Sequence, residues 1–410
     1  MGNCRFCGGD LSLTFIDLKH SPVSNKLLSL EDLAKPEITF PLIVKVCQNC
    51  FLVQTEDYQT SSEIFTEDYP YFSSFSKSWL EHSKNYVSMM IDRFGYTSDS
   101  LVVEIASNDG YLLQYFKEAG VSVIGIEPTK STAQVALSKG IDTVIDFFGK
   151  KLAIQRFNIK KADLILGNNV IAHVPDINDF IAGVKFALGE GGVCTFEFPH
   201  LLQLHQNNQF DTIYQEHFSY LSLFSVQKIF DKHGLKIFDV EEFSTHGGSI
   251  RIFCAHKDNE AQVISANVNR VLKDELNAGI DKPQFYEGFE KKALNIKIEL
   301  LQFLLEKFKS NKSVAAYGAA AKGNTLLNYC GIKDDLICFC SDANIHKQDK
   351  YMPGSHIPIL SPEEIKNRKP DYVLILPWNL RNEIKKDLHY ISEWGGKFVV
   401  AIPQLEIFNP

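Results

Sequence analysis

The chain has 410 residues, of which 45% are hydrophobic and 22% charged, as is typical of a globular protein with more than one hydrophobic core. A formal net charge of -8, without any run of basic residues, argues against sequence-independent binding to nucleic acid. No apolar stretch reaches membrane-spanning length, and residues 1–10 lack the apolar core of a signal peptide, so we expect no membrane partner.

Two close cysteine pairs lie near the start of the chain, Cys4-x-x-Cys7 and Cys47-x-x-Cys50. Each pair presents two thiolates on a tight turn, and two such pairs supply the tetrahedral sulfur ligands that zinc prefers. Four thiolates leave no coordination position open for water, so the pattern predicts a structural zinc ion. A redox-active C-x-x-C motif is the alternative for one pair, and the presence of two pairs disfavours it.

The other five cysteines lie in apolar, strand-like segments. Such residues are typical of buried, reduced thiols, which predicts a cytoplasmic protein without a disulfide framework. They are Cys194, Cys254, Cys330, Cys338 and Cys340.

Residues 1 to about 65 are predicted to form short strands and turns around the cysteine pairs, with one strand over 38–47. A helix is predicted within 68–94, because Trp79, Tyr86 and Met90 recur at helical spacing. Strands and helices then alternate, which indicates a mostly parallel sheet covered by helices. The predicted strands are 101–106, 121–127, 142–145, 162–167, 191–198, 235–243 and 250–256, and the helices are 111–118, 131–139 and 177–188.

Residues 259–309 are predicted to be mainly helical, and the strand–helix alternation restarts at 313–317. Further strands are expected at 336–340, 372–376 and 397–401. The fold class is therefore α/β, with a small zinc-binding domain (1–67), a central Rossmann-like domain (68–257) and a second Rossmann-like domain with a helical lead-in (258–410).

The segment Val102-Val-Glu-Ile-Ala-Ser-Asn-Asp-Gly110 predicts a strand, a turn of small residues and a helix start. Small residues there allow a cofactor to approach the backbone at the end of the strand. The next strand ends at Glu127, whose carboxylate is suited to accept hydrogen bonds from ribose hydroxyls. The turn lacks the G-x-G-x-x-G pattern of NAD sites and resembles motif I of S-adenosylmethionine (SAM) methyltransferases. A purely structural turn capped by Asn108 is the alternative.

Two later segments are predicted to complete this cofactor site. Asn168 and His173 follow the fourth strand, whose end faces the reacting group in such folds. Asp146 and Phe147 follow the third strand and suit an adenine ring, although Phe147 and Phe148 fit a hydrophobic core equally well.

Polar and titratable side chains are dense in residues 211–220, which include Tyr214, Glu216, His217 and Tyr220. Burying such a group is costly without a function, and histidine is the usual general base near neutral pH. The alternative is a helix start at which these side chains satisfy local amides. Residues 246–251 predict a second polar site, in which Arg251 meets a phosphate; a hairpin turn explains the same residues.

Together these motifs resemble the zinc-containing, SAM-dependent sugar C-methyltransferases of deoxysugar biosynthesis, the family of the tetronitrose-pathway sugar C-3 methyltransferase. The likeness covers nearly the whole chain. It includes the four cysteines, Asp68-Tyr-Pro-Tyr-Phe-Ser-Ser-Phe-Ser76, the turn at 104–110, Tyr214-Gln-Glu-His217, His246-Gly-Gly-Ser-Ile-Arg251 and Gly318-Ala-Ala-Ala-Lys-Gly-Asn324.

The resemblance implies SAM in the central domain and a nucleotide-linked 4-keto-6-deoxy sugar between the central and C-terminal domains. His217 would be the general base, with Tyr214, Glu216 and His173 around the sugar. SAM would be bound by Glu104, Ala106, Asn108, Asp109, Gly110, Glu127, Asp146, Phe147 and Asn168. The sugar nucleotide would be bound by Tyr69, Tyr71, His246, Ser249, Arg251, Lys322, Asn324, Asp342 and Trp378.

Ala106 departs from the family pattern, which has glycine in the cofactor turn, and its methyl group is expected to crowd the methionine moiety. In the C-terminal domain, the helix start at 318–324 suits a diphosphate, with charge from Lys322, and Trp378 or Tyr351 is placed to stack on the base. A second Rossmann scaffold that binds no ligand is the alternative.

The sequence therefore predicts C-methylation of a TDP- or GDP-linked ketosugar, most simply by a monomer. C3 is the favoured carbon and C5 is the alternative, because a ketone at C4 acidifies the hydrogens on both. The alternatives are an O- or N-methyltransferase of another small metabolite and a non-catalytic zinc-ribbon module that binds a protein or RNA.

Overall fold

The computed structural model describes residues 2–58, 60, 63 and 72–410, and these residues form three β-sheets. The strands in chain order are β1 (Leu13–Ser21), β2 (Phe40–Val46), β3 (Val53–Thr55), β4 (Leu101–Ile105), β5 (Ser122–Ile126), β6 (Thr143–Val144), β7 (Ala162–Asn168), β8 (Leu188–Pro199), β9 (Ser219–Tyr220), β10 (Leu235–Phe243), β11 (Ser249–His256), β12 (Val314–Tyr317), β13 (Cys340–Ser341), β14 (Ile359–Leu360), β15 (Tyr372–Ile375), β16 (Lys397–Val400) and β17 (Glu406–Phe408).

Helices cover the sheets and connect their strands. In chain order the α-helices of the described residues are α1 (Lys77–Phe94), α2 (Leu113–Glu118), α3 (Lys130–Ser138), α4 (Lys150–Arg156), α5 (Ile177–Ala187), α6 (Leu201–Gln206), α7 (Leu223–Lys232), α8 (Ala266–Ala278), α9 (Pro283–Tyr286), α10 (Phe289–Lys309), α11 (Ala321–Cys330), α12 (Glu363–Arg368) and α13 (Arg381–Asp387). None of these helices combines the length and apolar character that crossing a membrane requires.

The first sheet has four strands in the order β1-β2-β3-β9, all antiparallel. Its strands alternate buried and partly exposed residues along β2, as expected for a sheet with one face on the core. The fourth strand, β9, comes from residues far along the chain and pairs Tyr220 with Val53. The N-terminal module therefore takes in part of the segment in which the predicted general base lies.

The central sheet has seven strands in the order β10-β11-β8-β7-β4-β5-β6, and only β11 runs antiparallel to its neighbours. All five residues of β4 are buried, which explains why it is a continuous apolar run apart from Glu104. Strand order reverses beside β4, between β5 and β7, so a ligand crevice opens at the carboxyl ends of these strands. The predicted Rossmann-like architecture is confirmed.

Helix α1 confirms the helix predicted within 68–94, of which residues 68–71 lie outside the described part of the chain. The Ser76 side chain accepts a hydrogen bond from the Trp79 amide at 3.3 Å and caps the first turn. Gly95, at φ 68, ends the helix in the left-handed conformation that glycine adopts most readily. Tyr86 and Met90 are buried against the central sheet.

The third sheet has six strands in the order β14-β13-β12-β15-β16-β17, parallel except for β17. It confirms the second Rossmann-like unit. The predicted strand at 336–340 is shorter than expected, because the amides of Leu336 and Ile337 donate to the Lys333 carbonyl in a turn. The preceding helix α10 buries an apolar stripe at helical spacing, as predicted: Phe289, Ala293, Ile296, Leu300 and Phe303.

The N-terminal module packs on the C-terminal unit as well as on the central one. Phe15 stacks on Phe289 with ring centroids 4.4 Å apart. Leu28 and Tyr351 exchange backbone hydrogen bonds of 2.9 and 2.8 Å. The segment between β1 and β2 thus connects the N-terminal module with the C-terminal unit. The domain boundaries at 67/68 and 257/258 stay predictions, since β9 belongs to the first sheet by pairing and to the central domain by sequence.

Candidate active site

The four predicted metal ligands converge on one point. The Sγ atoms of Cys4, Cys7, Cys47 and Cys50 all lie within 4.8 Å of one another. Cys4 and Cys50 are 3.6 Å apart, and Cys7 and Cys47 are 3.4 Å apart. With Zn–S bonds of about 2.3 Å, tetrahedral geometry requires sulfur atoms about 3.8 Å apart, so the donor set fits zinc.

Four of the other five cysteines are buried, as predicted, but Cys338 is exposed. Cys338 lies just before β13, and its thiol donates a hydrogen bond to the Val314 carbonyl at 3.2 Å. None of the nine cysteines forms a disulfide.

The turn after β4 adopts the backbone conformation of a cofactor cradle. Ala106, Asn108 and Gly110 have φ values of 56, 50 and 74. A side chain at Gly110 would overlap Ile141, so only glycine fits there. The Ala106 methyl group, in contrast, stands in a left-handed conformation that costs an alanine about 1 kcal/mol relative to glycine.

Replacing Ala106 by glycine should therefore raise the free energy of unfolding by about 1 kcal/mol and tighten SAM binding, since a strained residue beside the ligand is relaxed. Urea unfolding and calorimetric titration with SAM measure the two effects. Ala278→Gly, at the last residue of α8, is the matched control and should destabilise slightly. Weaker SAM binding by Ala106→Gly would show that the methyl group contributes a contact.

Two buried carboxyl groups flank this turn. Glu127, 4% exposed, accepts hydrogen bonds from the amides of Asn108 at 2.9 Å and Thr129 at 2.8 Å, one on each oxygen. It therefore fixes the turn and retains lone pairs for a ribose hydroxyl. Burial raises the pKa of Glu127, and burial raises the pKa of Glu104 well above its usual range, partly offset by hydrogen bonding with Tyr111.

The remaining predicted cofactor residues border the same crevice. Asn168 is half-buried at the end of β7, and neither its Nδ2 nor its Oδ1 has a hydrogen-bonding partner among the residues that the structure describes. Asp109 is 1% exposed and its Oδ1 is likewise unpartnered. Unsatisfied buried polar atoms are rare in folded proteins, so these atoms are candidates for hydrogen bonds to a polar ligand.

Phe147 and Phe148, which by sequence suit either a ligand site or the hydrophobic core, have different environments in the structure. Phe147 is 42% exposed beside Asp146, and Phe148 packs on the central core with its ring 5.4 Å from that of Phe180. Phe147 is therefore the residue that remains available as a wall for a flat ligand.

His217 lies in a buried cluster with a fixed tautomer. Its Nδ1 is 2.8 Å from the Thr212 carbonyl oxygen, which can only accept, so Nδ1 carries the proton and Nε2 carries the lone pair. Burial, followed by the neighbouring His173, holds the pKa of His217 well below its usual range. The ring is therefore neutral at physiological pH, the form that a general base requires.

Three predicted partners surround this ring. Tyr214 lies against it with ring centroids 4.0 Å apart, and His173 meets it edge-on at 4.7 Å. Burial lowers the pKa of His173 to about 4, so it too is neutral. Glu216 is 2% exposed and its Oε1 accepts a 2.6 Å hydrogen bond from the Asn25 side chain. The geometry thus brings together the rings of His217, Tyr214 and His173, whereas the Glu216 carboxylate is directed to Asn25.

The turn at Thr245–Gly247 closes the site from the C-terminal side. His246, at φ 54, directs its ring to within 5.3 Å of the Trp79 ring, and its Nε2 is 3.0 Å from the Asn169 side-chain nitrogen. A side chain at Gly247 would overlap the Trp378 ring, so the glycine permits close contact between the central and C-terminal units.

Lys322 and Trp378 reach this contact from the C-terminal sheet. The Lys322 ammonium group lies 4.9 Å from the Trp378 ring centroid and donates to Asn379 at 2.7 Å. The Trp378 indole donates to Asp211 Oδ2 at 2.7 Å, and burial raises the pKa of Asp211 to about 6. Because Lys322 covers one face of the indole, only the opposite face remains for stacking on a base.

Other predicted substrate residues have structural partners. Both carboxylate oxygens of Asp342 accept backbone amides, from Ala319 and Asn344 at 2.8 Å each. This arrangement matches that of Glu127, so Asp342 keeps lone pairs for a ribose. Asn324 is 1% exposed and donates to the Ser24 carbonyl at 2.6 Å, so its amide holds the N-terminal segment in place of a substrate.

The predicted contact of Arg251 with a phosphate is corrected. Arg251 is 2% exposed, pairs with Glu197 at 2.5 Å and Glu241 at 3.1 Å, and lies 3.0 Å from His82. Releasing it would leave Glu197 buried without a countercharge, which is strongly unfavourable. Ser249 is also buried and donates to the Thr245 carbonyl at 2.9 Å, so it supports the turn. Tyr69 and Tyr71 lie outside the described residues.

Stability should fall on acidification because buried histidines must become charged. Burial lowers the pKa of His246 to about 4, Lys322 acts in the same direction, and Glu197 opposes it. A lowered folded-state pKa gives stability that is complete above about pH 6.5 and is lost as the pH falls towards 4. Denaturant titrations between pH 7 and 5 should show that the free energy of unfolding falls less steeply for His246→Asn, because asparagine does not become charged. Asparagine is chosen because it tolerates a positive φ. If the free energy of unfolding of His246→Asn depends on pH as steeply as that of the wild type, His246 is not a source of the loss.

Several residues at the site gave no signal in the sequence. Asp211, Thr212 and Asn169 lie beside residues that were singled out, and their roles depend on partners distant in the chain. Asn25, which holds Glu216, lies in the segment between β1 and β2, where no motif marked it. Such contacts arise only when the N-terminal module folds against the central sheet.

Comparisons with known proteins agree with this organisation. A family model described as "Putative zinc binding domain" matches residues 4–65, one described as "Methyltransferase domain" matches 80–240, and one described as "C-methyltransferase C-terminal domain" matches 244–403. The C-methyltransferase NovU of Streptomyces niveus is 37% identical over 410 residues, which cover 99% of this chain and 96% of the relative.

Solved structures show more distant likenesses. The PH0226 protein of Pyrococcus horikoshii aligns with 47% of this chain and 100% of its own, at 14% identity and a TM-score of 0.39. The magnesium protoporphyrin IX methyltransferase of Synechocystis aligns with 43% of this chain and 79% of its own, at 15% identity and a TM-score of 0.34. These scores are too low to support an inference about function.

Proposed function

Since this chain belongs to the zinc-containing family of SAM-dependent C-methyltransferases, we propose that it methylates a carbon atom of a nucleotide-linked 4-keto-6-deoxy sugar, at C3. The observation that carries the proposal is the half-buried, neutral His217 with its lone pair on Nε2. A methyltransferase of oxygen or nitrogen has less need of a base so shielded from water, because those atoms already carry lone pairs.

We propose that SAM is held at the carboxyl ends of β4, β5 and β7. Glu127 would accept hydrogen bonds from the ribose hydroxyls, Phe147 would cover the adenine, and Asp109 and Asn168 would meet the methionine end. Bound there, SAM supplies an electrophilic methyl group.

A C–H bond is too weak an acid for histidine unless an adjacent carbonyl delocalises the resulting charge. A ketone at C4 does this for the hydrogen at C3. Nε2 of His217 would take the proton, and the C–H electron pair would move into the ring as the C4 oxygen becomes an enolate oxygen. The Thr212 carbonyl stabilises the imidazolium that forms, through the proton on Nδ1.

The enolate oxygen needs a donor while the charge persists, since it forms in a site shielded from water. Among the described residues, the rings of Tyr214 and His173 lie closest to that of His217, and they offer a hydroxyl and a ring N–H, respectively. His173 is neutral and therefore donates without adding a second positive charge beside the imidazolium. Glu216, fixed by Asn25, is placed to accept a sugar hydroxyl.

The nucleotide is proposed to lie against the C-terminal unit. Lys322 supplies positive charge at the start of α11 for a diphosphate, Asp342 a carboxylate for a ribose, and Trp378 one free ring face for a base. TDP and GDP fit these groups equally well. The four thiolates are proposed to hold a structural zinc ion, remote from proton transfer.

A panel of TDP- and GDP-linked 4-keto-6-deoxyhexoses, incubated with SAM in deuterated buffer, tests the proposal. We expect exchange of deuterium at C3 and a product methyl group on C3 by NMR. The matching 4-hydroxy sugar nucleotides are the control and should neither exchange nor react, because they cannot form an enolate. A methyl group found on oxygen or nitrogen, or no product from any ketosugar, would reject the proposal.

A further inference from the structure

The segment that carries His217 is built into the sheet of the N-terminal module. The Thr55 amide donates to the Phe218 carbonyl at 3.2 Å, and the Thr55 hydroxyl donates to the His217 carbonyl at 3.1 Å. Two residues later, β9 pairs with β3. The main chain of the general base is therefore held by the strand that follows the second cysteine pair.

Arg5 lies inside the first cysteine pair, between Cys4 and Cys7. Its amide donates to the Gln54 side-chain oxygen at 2.9 Å, and the Gln54 side-chain nitrogen donates to Cys4 Sγ at 3.2 Å. These contacts fix the backbone of Arg5 to the metal-binding turn and to β3 at once. The direction of its side chain is thereby set by the folded module.

The guanidinium group of Arg5 contacts both histidine-bearing segments, which are also joined directly where the Phe218 amide donates to the Ala172 carbonyl at 2.8 Å. One terminal nitrogen donates to the Thr55 carbonyl and the other to the Pro175 carbonyl, both at 2.8 Å. Its carbon lies 5.4 Å from the ring centroid of Phe218. Pro175 follows His173 by two residues and Phe218 follows His217 by one. The side chain is only 7% exposed, so these hydrogen bonds are shielded from water.

We propose that Arg5 is a positioning residue, which sets the distance between the rings of His173 and His217 by binding both of their segments. This rests on the proposed function, in which the two rings act on one ketosugar. A planar guanidinium presents several donors in a fixed fork, which a lysine ammonium cannot reproduce. Displacement of a reacting group by about 1 Å can cost roughly a hundredfold in rate, so modest loosening of this link should be measurable.

Three variants test the proposal in the full-length protein with its metal bound. We expect Arg5→Met to lower kcat by about 30-fold to 100-fold and Arg5→Lys by about tenfold, with KM for SAM within about twofold of wild type. Asp57→Asn is the matched control: Asp57 pairs with Arg5 at 2.7 Å but is 48% exposed and contacts neither histidine segment through that pair. Its kcat should stay within about threefold.

Nitrogen NMR of the imidazoles gives a readout without substrate. The wild type should show His217 as the Nδ1–H tautomer, and Arg5→Met should show shifted or exchange-broadened signals for His173 and His217. Metal content and SAM affinity should be unchanged. If Arg5→Met does not fold, Arg5→Lys decides by the same readouts.

Wild-type kcat and unchanged imidazole spectra in these arginine variants would overturn the proposal. If wild-type protein turns over no ketosugar, the proposed function fails, while the imidazole spectra still decide whether Arg5 positions the rings.

Discussion

Replacing His217 by asparagine lowers turnover by about a hundredfold to ten-thousandfold and leaves the affinity for SAM within about twofold of wild type. The imidazole is the group that we propose accepts the substrate proton, and general-base catalysis contributes about 10²–10⁴-fold to rate. The residues proposed to hold SAM belong to β4, β5 and β7 and their loops, and none of them contacts His217 through a described hydrogen bond.

Deuterium exchange at C3 separates proton removal from methyl transfer and is the decisive measurement for His217→Asn. Exchange should disappear together with turnover, because both begin with the same proton transfer. His389→Asn is the matched control, since His389 is exposed on the C-terminal unit, and it should behave as wild type. Normal exchange in His217→Asn would assign the base to another residue, with His173 the first candidate.

Replacing Cys47 by serine removes one of four converging sulfur ligands and should abolish tight metal binding. Metal binding of this kind is worth about 10 kcal/mol or more to small domains, so the N-terminal module should lose its structure. Strand β3 then no longer holds β9 and the His217 segment. We therefore expect turnover to fall at least about a hundredfold, even though none of the four cysteines lies in the proposed SAM site.

Metal analysis and amide hydrogen exchange test this expectation. Exchange should accelerate in Val53–Thr55 and Ser219–Tyr220, which pair with each other, and stay slow in Leu101–Ile105. Cys338→Ser is the control, since Cys338 is exposed and remote from the metal cluster, and it should keep metal and activity. Full activity in metal-free Cys47→Ser protein would show that the module does not support catalysis.

Local sequence alone determined the elements of the central sheet and the composition of the sites. Buried parallel strands such as β4 require continuous apolar residues, and the acids at 104 and 127 stand where strands end, so periodicity was enough to place them. The metal ligands could also be predicted from the paired cysteines, because the C-x-x-C spacing is a local property of the sequence. The cluster at 214–217 was visible for its density of titratable groups.

Only the tertiary structure decided which residues far apart in the sequence form ion pairs and hydrogen bonds with each other. Arg251 is a plausible phosphate ligand by sequence, and it becomes an ion-pair partner because β11 lies beside β8 and brings Glu197 against it. Asn324 similarly meets Ser24, about three hundred residues earlier in the chain. No sequence pattern encodes such pairs, since each depends on how whole layers pack.

The sequence by itself determined which chemical groups this protein carries and on which strands and turns they stand, because hydrophobic periodicity and ligand spacing act over a few residues. The tertiary structure decided which nitrogen of His217 is free, through the Thr212 carbonyl, and which buried charges are already neutralised. It also decided that the N-terminal module holds the segment that carries His217, because strand pairing between β3 and β9 joins residues that are remote in sequence.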